Sequence, residues 1–125
     1  MICLVGLPGS GKSTVASVFQ GYGLPVIVMG DAVRMEAKGR GIKPSLRNMR
    51  GLMLQLRRER GEAAVADLCL PLIRETGSAA AIIDGVRSLA EVRRFRGFAD
   101  VRLIGVFSSQ CLRFKRLRTR HRRHA

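Results

Sequence analysis

The chain contains no tryptophan, one tyrosine and five phenylalanines among its 125 residues. So few rings leave little from which to build base-stacking platforms, the usual means of holding single-stranded nucleic acid without sequence preference. Acids are scarce too, with nine Asp and Glu against 23 Lys and Arg and a formal net charge of +14. The three cysteines, Cys3, Cys69 and Cys111, are odd in number, far apart and without CxxC spacing. That argues against a disulfide framework and against zinc, and leaves Cys3 and Cys69, in apolar context, as core residues. No apolar run approaches the ~18 residues needed to cross a bilayer. Met1 leads directly into a strand-like run with no basic leader, so no signal peptide and a cytoplasmic location are expected.

What is present is enough for one folded domain over residues 1–125. A hydrophobic content of 46% excludes disorder for the bulk of the chain. A domain of this size buries roughly two-thirds of its unfolded surface and needs no staple. Short apolar runs alternate with longer amphipathic stretches. Strands are predicted at 1–5, 25–29, 79–83 and 101–107, and helices at 12–20, 31–38, about 46–58, 62–75, 88–97 and 109–120. Ser45 is placed to cap the third helix, on which Leu46, Met49, Leu52, Met53 and Leu56 recur at helical spacing. Pro71 is expected to kink the fourth or mark a boundary. Strands separated by helices predict βαβ units and an α/β fold with a parallel sheet covered on both faces.

Gly6-Leu7-Pro8-Gly9-Ser10-Gly11-Lys12-Ser13 fits the Walker A pattern G-x-x-x-x-G-K-[ST] at every fixed position. Its context is the required one, since it follows a strand-like run and opens a helix. The glycines let successive backbone N–H groups turn inward as an anion nest, and the helix points its positive end at the same phosphates. Lys12 would reach the β- and γ-phosphates, the Ser13 hydroxyl would ligate Mg²⁺, and Thr14 follows on the same turn. ATP and Mg²⁺ are therefore the expected cofactors.

Two further acids and two arginines fall where such a site needs them. Ala81-Ile82-Ile83-Asp84-Gly85 is an apolar strand ending in an acid that would hold Mg²⁺ or its waters. Gly30-Asp31-Ala32-Val33-Arg34 follows the second strand, at the carboxyl edge where open α/β sheets bind ligands. Arg34 would grip an acceptor phosphate bidentately, with Arg87 beside it, while Asp31 would position an acceptor hydroxyl or take its proton. The bland alternative for Asp31 and Arg34 is an N-terminal helix acid and a solvated arginine.

Taken in order, Gly6–Ser13, Gly30-Asp31-x-x-Arg34, Asp84-Gly85-x-Arg87 and the Arg-rich last helix resemble the adenylate-kinase-like nucleotide kinases. Dephospho-coenzyme A kinases are close to that pattern, and an archaeal group of phosphate-loop proteins related to both is closer still. The resemblance implies a three-layer αβα phosphate-loop fold with about four parallel strands here. It also implies a helical insert at about 31–76 that closes over the phosphate acceptor. Matched by position, Arg34 and Arg87 would bind the acceptor, and Arg116 and Arg120 would face the ATP phosphates. Arg57 is a further acceptor candidate whose alternative is a solvated helix face. The family continues into a mobile lid, a helix and a fifth strand. Here Thr119-Arg120-His121-Arg122-Arg123-His124-Ala125 stands about where the lid begins, so a C-terminally shortened member with a basic lid root at about 111–125 is expected.

Three functions follow. The first is transfer of the ATP γ-phosphoryl to a nucleotide or related small-molecule acceptor. The second is a nucleotide-binding module without turnover that needs a partner or a lid. The third is a nucleic-acid-associated NTPase, prompted by the net charge, half of which lies in residues 111–125. No RNA-binding signature accompanies it, so non-specific attraction to nucleic acid at low salt is the expectation. His121 and His124 lie among arginines and are read as solvated.

Overall fold

The computed structural model describes residues 1–7, 9–78 and 80–124, with side chains through Thr119. Within them the order is β1 (Ile2–Val5), α1 (Lys12–Gly21), β2 (Val26–Val28), α2 (Met29–Gly39), α3 (Leu46–Arg60), α4 (Ala64–Thr76), β3 (Ile82–Asp84), α5 (Leu89–Arg96), β4 (Arg102–Gly105) and α6 (Gln110–His124). The strands form one parallel sheet in the order β2-β3-β1-β4.

Side-chain alternation along the strands divides the core into two layers. Leu4 and Ile82 pack with Ala16, Val15 and Phe19 of α1. Cys3, Ile27 and Ile83 belong to a larger cluster with Val33, Ala37, Leu52, Leu56, Val65, Cys69 and Phe95 from α2 to α5. Helices therefore lie on both faces over β1, β2 and β3, whereas β4 stays largely exposed, with Leu103 44% accessible, so the predicted coverage stops short of that edge. The two expected core thiols are fully buried. Burial holds Cys3 protonated, at a pKa raised to about 11, and Cys69 at about 12.

Register explains where the strands stop short of their predicted ends. Val28 lies opposite Asp84, the last residue of β3, so β2 has no neighbour beyond that level and α2 begins at once with Met29. Ile82 pairs with Ile2 and Val26, so the predicted strand 79–83 shifts to Ile82–Asp84; Ala79 is outside the described residues. Gly105 lies opposite Val5, where β1 turns away, which ends β4 two residues before the predicted 107. Ser45 caps α3 as its position predicts, its Oγ accepting from the Asn48 N–H at 3.1 Å. Pro71 does not end α4; the helix runs through it, with the proline on an exposed position. On the α3 stripe Leu52 and Leu56 are buried, whereas Leu46 is exposed.

No helix among the described residues is long and apolar enough to cross a membrane.

Candidate functional site

The level shared by Leu4, Val28 and Asp84 is the carboxyl edge of the sheet. The loop from Gly6 leaves β1 there and enters α1, and its chemistry follows from its backbone. Gly11, the residue before α1, has φ +104° and Gly9 has φ +79°. Both lie in the left-handed region that side chains disfavour. No side chain caps α1, which suits a helix start meant for an anion. The Ser10 Oγ is buried and has no hydrogen-bond partner among the described residues. Lys12 Nζ donates to the Gly6 carbonyl at 2.6 Å. These features fit a phosphate group. Pro8 is outside the described residues.

Asp84 is 8% exposed at the end of β3. Burial raises its pKa above the usual 3.8, and the Lys12 ammonium opposes that rise. The Asp84 carboxylate and the Ser13 hydroxyl supply the hard oxygen donors that Mg²⁺ takes.

A cavity of about 570 Å³ opens beside the loop. Leu7 and Gly9–Ser13 line one side, Asp84 and Arg87 another, and Arg34 from α2 and Arg57 from α3 a third. Met49, Met53, Val33 and Val65 give it apolar walls. The structure thus brings Arg34, Arg57 and Arg87 to one space with the phosphate loop. Asp31 stands differently. Its carboxylate accepts a hydrogen bond from the Arg34 guanidinium, both side chains are more than half exposed, and Asp31 is not part of the cavity lining. Gly6 and Thr14 also lie outside that lining. A second cavity of about 660 Å³ on the other side of Arg87 and Lys12 is mainly apolar, walled by Val86, Leu89, Val92, Leu103 and Phe107.

The last helix packs against the loop from above α1. Arg116 Nη1 donates to the Gly9 carbonyl at 3.0 Å. A Cβ on Gly9 would lie 2.7 Å from the Arg113 carbonyl oxygen, so backbone meets backbone there. Arg116 is therefore bound to a loop carbonyl and does not line the cavity. Arg120 lies on the same helix, with its side chain outside the described residues, as are those of His121 and His124.

The chain is 45% identical over 127 aligned positions to a UPF0200 protein of Thermococcus sibiricus, an alignment covering 98% of this chain and 67% of the relative. The chain belongs to the UPF0200 family. A UPF0200 protein of Hyperthermus butylicus is 41% identical, with 98% of this chain and 66% of the relative covered. This UPF0200 chain thus spans about two-thirds of the length of the relatives it matches. Residues 5–123 also match the AAA domain family. A gluconokinase from Sinorhizobium meliloti shares the fold at TM-score 0.50 and 19% identity, over 95% of this chain and 63% of that one. The UPF0200 chain has a phosphate-loop kinase-like α/β fold.

One residue of the UPF0200 site escaped the sequence reading. Glu91, on α5, is 2% exposed and lines the cavity of about 570 Å³ together with Asp84 and Arg87. Its Oε1 accepts from the backbone N–H groups of Arg87 at 2.9 Å and Ser88 at 3.1 Å, and the Ser88 Oγ accepts from the Glu91 N–H at 3.2 Å. This is a capping box. Ser88-x-x-Glu91 is its sequence signature, so the signal was available. Arg113, which shapes the loop through its backbone, left no comparable signal.

Proposed function

We propose that the protein binds ATP with Mg²⁺ and transfers the γ-phosphoryl group to a phosphate-bearing small molecule such as a nucleotide. One observation carries this reading: the cavity in which the phosphate loop meets Arg34 of α2, Arg57 of α3 and Arg87 of the turn before α5. Residues 31–76 are then the acceptor-binding insert and 111–125 the root of a lid. Gly6–Thr14 would hold the nucleotide phosphates, with the backbone N–H groups of the loop and the α1 N-terminus as donors. Ser13 and Asp84 would hold Mg²⁺, which would supply charge neutralisation at the nucleotide phosphates.

The residues divide the remaining work between charge and position. Lys12 exchanges its Gly6 carbonyl for phosphate oxygens. Arg34, Arg57 and Arg87 hold the acceptor's anionic group in line with the loop, since a guanidinium fork matches phosphate geometry. Arg116 and Arg120 approach the donor phosphates from α6. Transfer of this kind depends on positioning and electrostatics more than on covalent chemistry. An acceptor phosphate is favoured over a neutral hydroxyl because Asp31, the expected base, does not line the cavity and is paired with Arg34. We place the protein in the cytoplasm, and read its attraction to nucleic acid as non-specific charge.

The test is an ATP-dependent phosphorylation assay over nucleoside monophosphates and dephospho-coenzyme A, on the full-length family protein and on this chain. Product that disappears with Lys12→Ala and survives Asp31→Asn is the expected result. ATP binding with no product from any acceptor would establish the module without turnover instead.

A further inference from the structure

Glu91 is a carboxylate 2% exposed, and the γ-phosphoryl transfer described above makes no use of it. An ionised carboxylate is costly to bury unless it is hydrogen-bonded, so its partners show what the burial serves. Two of its bonds run to the backbone N–H groups of Arg87 and Ser88, both at Oε1. These residues belong to the turn that carries the chain from Asp84 into α5. Gly85, in that turn, has φ +102°, and Met29 on α2 lies 3.8 Å from where its Cβ would be. The turn is therefore confined on one side by α2 and tied on the other by Glu91. Glu91 itself is fixed in the interior, near enough to Cys3 on β1 and Cys69 on α4 for its charge to help raise both thiols.

We infer that Glu91 is a positioning residue for the acceptor. Its carboxylate fixes the backbone of Arg87, and through it the direction of the Arg87 guanidinium in the cavity. This rests on the proposed role of Arg87 in holding the acceptor's anionic group. Arg87 is exposed, so the backbone that Glu91 ties down sets the point and direction from which its side chain leaves the turn. A capping box can also be purely structural, stabilising the helix it opens. The two roles differ in what they couple to: a cap stabilises the whole domain, whereas a positioning bond acts only through Arg87.

A double-mutant cycle separates them. AMP and dephospho-coenzyme A serve as acceptor probes and ATP as the loop probe, with affinities measured by calorimetry on folded protein. Glu91→Ala is expected to weaken acceptor affinity on the order of tenfold, the worth of about one charge-assisted hydrogen bond, and to leave ATP affinity within about twofold. Glu91→Gln, which keeps an acceptor oxygen, restores most of the loss. In an Arg87→Ala background, Glu91→Ala has no further effect on the acceptor. Should Glu91→Ala fail to fold, Glu91→Asp, one methylene shorter, replaces it with the same expectation. Equal losses for ATP and acceptor, or an undiminished Glu91 effect without Arg87, overturn the positioning role alone. An Arg87→Ala variant with unchanged acceptor affinity overturns the acceptor reading and this inference with it.

Discussion

Gly9→Ala tests whether α6 and the phosphate loop form one unit. Gly9 has φ +79°, and its added Cβ would stand 2.7 Å from the Arg113 carbonyl oxygen and 3.1 Å from the Arg113 Cα. The left-handed backbone alone costs a non-glycine residue about 1–2 kcal/mol. The contact with Arg113 cannot be relieved by a rotamer change because it is backbone, and overpacking of this kind adds ~1–3 kcal/mol. The expected destabilisation is thus about 2–5 kcal/mol. Gly23→Ala is the matched control, since Gly23 has φ +84° with nothing within 4 Å of the added Cβ. It should lose only the backbone part, about 1–2 kcal/mol. Urea unfolding of both variants, compared at constant m-value, measures the difference. Gly9→Ala should also lower ATP affinity more than about tenfold, because displacing α6 or the loop spoils the N–H nest and frees the Gly9 carbonyl from Arg116. If the two variants unfold within about 0.5 kcal/mol of each other and both bind ATP normally, the packing of α6 on the loop is refuted.

Two further outcomes are expected. Asp84 has a folded-state pKa raised above 3.8, so its stabilising contribution is complete below that pH and is lost as pH rises through the raised value. Asp84→Asn should therefore gain stability over the parent near neutrality relative to the comparison below pH 3.8, while losing the Mg²⁺ dependence of ATP binding; chemical unfolding and calorimetry with and without Mg²⁺ check both. Arg57 lines the cavity from α3, and Arg57→Ala should weaken AMP binding about five- to tenfold with ATP affinity unchanged, against no effect if it is merely solvated.

Much of this molecule was legible in its sequence because the relevant physics is local. The Walker A spacing, the Ser45 cap, the apolar runs that became β1 to β4 and the burial of Cys3 and Cys69 each follow from a few neighbouring residues and their periodicity. Strand ends were less legible, because Val28 and Gly105 stop where their partners Asp84 and Val5 stop. That is a property of pairing and not of either segment.

The sequence by itself determined the chemistry on offer: a phosphate-loop motif, an acid at a strand end, and a supply of arginines. The tertiary structure decided which of these meet. It brought Arg34, Arg57 and Arg87 into one cavity, set Asp31 aside in an ion pair, folded Arg116 onto Gly9 and put Glu91 beneath Arg87. Those outcomes depend on contacts between residues up to 107 positions apart. No spacing rule within a single helix or strand reaches that far, and only packing the elements around one core selects among the possible encounters.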